Sequence, residues 1–175
     1  MIGSFVLLGL AVAAGQASAQ ARLRLTAARG SSTVTLGYLK KSVKIDLDAE
    51  LIGSNGTLPG NEPHRYTVLF TAEKEGFLYL VAKVCSASPI SNPMGPCGGD
   101  RPCAVLWIKI DKKLQEREIQ CEIYASCSYN YYDSKVKLSG TGLDIAFGGS
   151  EKKRMIYDNA GPEKGLVISA AGPGK

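Results

Sequence analysis

Five cysteines fall in one third of the chain: Cys85, Cys97, Cys103, Cys121 and Cys127. Thiols bind soft metals, attack as nucleophiles or pair as disulfides, and spacing separates these uses. No two of the five form a CxxC knuckle, and the single histidine, His64, lies well before them, so a zinc centre fits poorly. Disulfides fit better. The spacing predicts two bridges drawn from Cys85, Cys97, Cys103 and Cys127, with Cys121 a buried free thiol behaving as a small hydrophobe. An odd cysteine also allows a covalent homodimer.

Other residue sets invite chemistry and have a plainer reading beside it. Asp46, Asp48 and Glu50 alternate, so on a strand their carboxylates share one face and suit a hard cation. No glycine-bearing calcium loop accompanies them, and a solvated strand face explains them better. Ser150 and Lys153 match S-x-x-K, but the S-D-N and K-T-G companions are missing and the context is a Gly-Gly turn. Cys121 with His64 as base would make a thiol nucleophile, which needs an activated, open thiolate. A cysteine on the apolar face of a patterned strand is the opposite, and a histidine beside Pro63 reads as a loop residue. Asn55-Gly-Thr57 is formally a glycosylation acceptor and also the Asn-Gly turn that hairpins prefer. No catalytic, cofactor or metal signature emerges.

The elements that must position these residues are strands. Gly76–Cys85 reads as a strand buried on both faces. Ala104–Asp111 puts Leu106, Ile108 and Ile110 on one face and Val105, Trp107 and Lys109 on the other. Glu118–Ala125 alternates, with Ile119, Cys121, Ile123 and Ala125 inward. A hairpin about residues 112–115 sets position 103 opposite about 124, which brings Cys85, Cys103 and Cys127 to one end. Ser42–Ile52 alternates most cleanly and predicts one half-buried strand. Weaker strands are expected at 21–28, 33–38, 66–71, 135–138, 143–147, 154–157 and 166–169, divided by turn chemistry. Regular short strands predict an all-β protein of about ten strands, a two-sheet antiparallel β-sandwich with a closed β-barrel as the alternative.

Residues 1–19 carry no charge, have a short apolar stretch and end in Ala17-Ser18-Ala19, the pattern of a cleaved signal peptide. Export suits the cysteines, since disulfides persist outside the cytosol. Residues 20–169 are expected to form one domain and 170–175 a disordered tail. The apolar stretch is too short for a membrane span, so none is expected after cleavage. The +5 charge of the 175 residues is scattered, unlike the concentrated footprint of a nucleic-acid binder.

Two stretches favour recognition. The connection 86–102 is unusually long, and Asn92, Met94, Asp100 and Arg101 are its candidate contacts. Tyr129-Asn-Tyr-Tyr-Asp133 lies near its base, where Tyr129, Tyr131 and Tyr132 offer area and hydrogen bonds at modest entropic cost. Strand parity continued from Cys127 would instead bury Tyr129 and Tyr131 and leave Tyr132 exposed. The expectation is an exported module, periplasmic or extracellular, that binds a protein or carbohydrate ligand without cofactor. The alternative is a small secreted hydrolase or a protein-targeted inhibitor.

Overall fold

The computed structural model describes residues 22–27, 31–52, 56–60, 64–86, 101–127, 129–149 and 152–170. The signal-like segment, Asn55, Asn92, Met94, Cys97, Asp100, Ser150 and residues 171–175 lie outside the described residues.

The chain is all-β, with eleven strands, one short α-helix and one 3-10 turn at Pro162–Lys164 among the described residues. Strands β1 (Arg24–Ala27), β2 (Thr33–Tyr38) and β3 (Lys41–Asp46) form one antiparallel sheet, followed by α1 (Leu47–Ile52). A four-stranded meander follows, of β4 (His64–Lys74), β5 (Phe77–Ser86), β6 (Cys103–Asp111) and β7 (Arg117–Ala125). The last sheet takes β8 (Lys135–Leu138), β9 (Gly142–Ala146), β10 (Lys153–Asp158) and β11 (Val167–Ala170), in the order β11-β10-β9-β8. All pairings are antiparallel, and no sheet closes into a barrel. Ala170, expected to begin the tail, pairs with Lys153.

The expected pair of sheets is three, and the reason lies in β5 and β6. Alternate residues Leu78, Leu80, Ala82, Val84, Leu106, Ile108 and Ile110 pack with Val34, Leu36 and Ile45 of the first sheet and with Leu47 and Leu51. The residues between them, Tyr79, Val81, Val105 and Trp107, pack with Leu143, Ile145, Phe147, Met155 and Tyr157 of the last sheet. A sheet apolar on both faces must be covered on both, and two layers would leave one face in water. Trp107, 1% exposed, locks the second interface: its Nε1–H donates to the Pro162 carbonyl at 3.0 Å.

The expected strand 42–52 divides at Asp46. Asp46 Oδ1 accepts the N–H groups of Asp48 at 3.1 Å and Ala49 at 3.3 Å, which caps α1. Leu47 and Leu51, one turn apart, are buried while Ala49 is exposed. Asp46, Asp48 and Glu50 thus do not share a strand face; Asp46 is the cap and Glu50 accepts from the Arg117 guanidinium.

Candidate functional site

Three strand ends of the central sheet build the site. Cys85 and Cys103 are directly opposed in the β5–β6 register and are disulfide-bonded, 18 residues apart in sequence. The bridge closes the 86–102 connection at its base, and Ser86 N–H donates to Pro102 O at 3.0 Å beside it. Closing a loop of this length contributes about 3 kcal/mol in the chain-entropy account. Gly60 makes room for this corner: its φ is +62°, and a Cβ there would stand 2.6 Å from Pro102 Cγ. Arg101 is exposed at the same end.

At the end of β7 the chain reverses. Ser126 and Tyr131 exchange backbone bonds of 3.2 and 2.8 Å, and Asn130 N–H donates to Cys127 O at 3.1 Å. Cys127 is disulfide-bonded, to a partner outside the described residues. Asn130 and Asp133 take left-handed conformations, φ 58° and 61°, which asparagine and aspartate tolerate best after glycine. The backbone of 130–133 lies directly on Gly148 and Gly149. A Cβ at either glycine would collide with the carbonyl oxygen of Tyr132 or of Asn130. Ser134 Oγ fastens the far side, donating to Tyr124 O at 2.5 Å and accepting from Gly148 N–H at 2.9 Å.

This reversal sorts the three tyrosines. Tyr131 turns inward and meets Phe147 edge to face at 5.0 Å, with Lys153 Nζ 3.4 Å from its hydroxyl. Tyr129 and Tyr132 are 50% and 54% exposed. Strand parity would have buried Tyr129, but the turn at 127–130 ends the strand before parity reaches it. Gly148, Gly149, Ser134 and Phe147, which hold the turn, were not among the candidates from sequence. The Gly-Gly pair read only as a turn of its own, since nothing local says that another segment's backbone rests on it.

The nucleophilic alternative finds no geometry here. Cys121 is a free thiol, buried in the first core, and burial followed by the neighbouring Glu122 charge pushes it up to about 12. His64 is not a loop residue; it opens β4, is buried, and lies 3.2 Å from Pro59 O through Nε2. Strands β5 and β6 separate it from β7, three strand spacings or about 14 Å. No other thiol among the described residues is free.

Comparison with protein-family models, with curated proteins and with solved structures yields no match.

Proposed function

We propose that this protein is a non-enzymatic, exported recognition module that binds a protein partner through Tyr129 and Tyr132. The observation that carries the reading is the clamped display of these side chains. Two large amphipathic groups stand exposed on a turn fixed by the Ser126–Tyr131 pairing, the Cys127 disulfide, Ser134 and the close Gly148–Gly149 seat. A rigid turn loses little freedom when a partner docks, so its exposed aromatics contribute more of their contact energy to affinity. Tyr129 and Tyr132, each about half exposed on a turn, offer a projecting contact, and the clefts of about 720 and 360 Å³ are lined by other residues. That shape favours a protein surface over a glycan. The uncharged segment 1–19 supports the export reading, and structural disulfides agree with it, since an oxidising compartment preserves them.

The test immobilises the chain lacking residues 1–19 beside its Tyr129→Ala, Tyr132→Ala double variant, with Tyr131 untouched because it packs on Phe147. Both are exposed to envelope and culture-medium fractions of the source cells. A species held by the parent, lost by the variant and destroyed by protease supports the proposal. Sensitivity to glycosidase instead would identify a glycan ligand. Equal capture by both, or by neither, refutes the tyrosine site.

A further inference from the structure

The central sheet has two edges, and they are treated differently. Along β7, Gly56 approaches Cys121 closely enough that an added Cβ would lie 3.3 Å from the Cys121 carbonyl oxygen. Leu166 N–H reaches the Gln120 side chain at 2.8 Å. These contacts flank a smaller cleft of about 360 Å³ along 118–122. The opposite edge is β4, the longest strand at eleven residues. A groove of about 720 Å³ runs along it, with β4 as floor and the start of β1 as one wall.

Glu75 and Gly76 both have positive φ, 52° and 85°, so the β4–β5 turn is type I′ and Lys74 and Phe77 form its hydrogen-bonded closing pair. Pairing alternates back along β4, so Ala72 and Phe70 bond to β5 while the N–H and C=O of Glu73 and Thr71 point away from it. No backbone bond from another element reaches Thr71 or Glu73 among the described residues. The facing edge of β1 likewise pairs with no strand beyond β2.

Open edges this long are ordinarily shortened, charged or covered, because they template pairing with another chain. Here a bulge at Leu69 interrupts the register but leaves 70–74 regular. The groove's charge then selects among occupants. Arg22 and Arg24 line it, are exposed, and have no carboxylate partner among the described residues. Glu73 is neutralised by Lys112 and accepts the Tyr38 hydroxyl at 3.2 Å. The other lining groups include Leu25, Val68 and Leu69.

We infer that the β4 edge is a strand-addition site for an extended segment of a partner polypeptide whose side chains alternate apolar and acidic. The added strand bonds to the N–H and C=O of Thr71 and Glu73, and its carboxylates meet Arg22 and Arg24. Residues 68–73 span about 20 Å, room for roughly six residues of an extended chain. Main-chain bonds supply affinity and alternate side chains supply selectivity, as in other edge-recognition modes. This site lies at the opposite edge of the sheet from Tyr129 and Tyr132, which follow β7, so either can fail alone.

The probe is a capped synthetic peptide of four Val-Glu repeats, with a second peptide of the same sequence N-methylated at alternate residues. Backbone amide spectra of the full folded protein are recorded with each. The expected result is a shift of the Thr71 and Glu73 amides, at least tenfold slower exchange at both, and at least tenfold weaker binding of the N-methylated peptide. An Arg22→Glu, Arg24→Glu variant is expected to bind the acidic peptide at least tenfold less and a Val-Lys peptide more. Three results would overturn the inference: no shift at Thr71 or Glu73 at millimolar peptide, equal binding of the N-methylated peptide, or concentration-dependent β4–β4 pairing between two copies of this chain.

Discussion

Gly149 and Gly76 form a matched pair on which the clamp beneath the tyrosine turn can be tested. Both take strongly positive φ, 82° and 85°. A Cβ at Gly76 would meet nothing within 4 Å, whereas one at Gly149 would collide with the Asn130 carbonyl oxygen. Gly76→Ala therefore carries only the left-handed conformational cost, about 1–2 kcal/mol. Gly149→Ala carries that and must also push residues 130–131 off their seat. Displacement forfeits the two Ser126–Tyr131 backbone bonds, about 1 kcal/mol net each, and the Tyr131–Phe147 edge-to-face contact, about 1 kcal/mol. The expected loss is about 4–5 kcal/mol against about 1–2 at Gly76. For a domain this size it is a fall in Tm of roughly 10 °C or more, against about 4 °C. Urea unfolding followed through Trp107 fluorescence gives both values, and the Tyr131 amide shift reports whether the turn has moved. Equal destabilisation by the two alanines, with the Tyr131 signal unchanged, would refute the clamp and with it the rigid display that supports the binding proposal.

Asp46→Ala removes the α1 cap and is expected to destabilise by about 1 kcal/mol in denaturant unfolding; no loss would mean that burial of Leu47 and Leu51 alone sets the helix. Under non-reducing conditions the native protein should leave Cys121 untouched by a thiol reagent, expose one reactive thiol on unfolding, and run as a monomer on a gel, because the thiol is buried and protonated. Trp107→Phe removes one of the two donors to the Pro162 carbonyl, leaving the Gly165 N–H at 3.3 Å, and should cost about 1 kcal/mol in the same unfolding assay. Stability should decline at both ends of the pH scale. The Arg154 guanidinium lowers Asp144, the Lys112 ammonium lowers Glu73, and the backbone N–H of Gln115 leads those that lower Asp111. Their stabilisation is present above the ordinary carboxyl values of 3.8 to 4.5 and is lost as pH falls below them through the folded values. Burial raises Cys121 from 9.0 and Tyr157 from 10.0 to about 12 each, so stability is expected to drop as pH rises from 9 to 12. A flat unfolding midpoint across either window would refute the corresponding assignment.

The strands were legible where one physical signal acted alone. Alternation along 104–111 and 118–125, with turn residues between, determined the β6–β7 hairpin and hence the end at which Cys103 and Cys127 lie. The double-sided apolar pattern of β5 already required cover on both faces, which a two-sheet sandwich does not provide. Residues 47–51 misled because apolar side chains at 47 and 51 satisfy a strand's period of two and a helix's i, i+4 spacing alike, and the Asp46 cap decided between them.

What the sequence determined by itself was strand content, the all-β class, the odd cysteine's place on an apolar face, and the concentration of cysteine and tyrosine at one end of one sheet. These follow from periodicity along neighbouring residues, which is a local property. Tertiary structure decided the number of layers, which cysteine opposes Cys85, which tyrosines reach solvent, and which edge of the central sheet carries the wider groove among the described residues. Each depends on segments far apart in sequence: Gly148–Gly149 beneath residues 130–132, β11 and Gly56 over β7, and the start of β1 beside β4. A local pattern states that a face must be buried or an edge paired. Only the packed chain states by what.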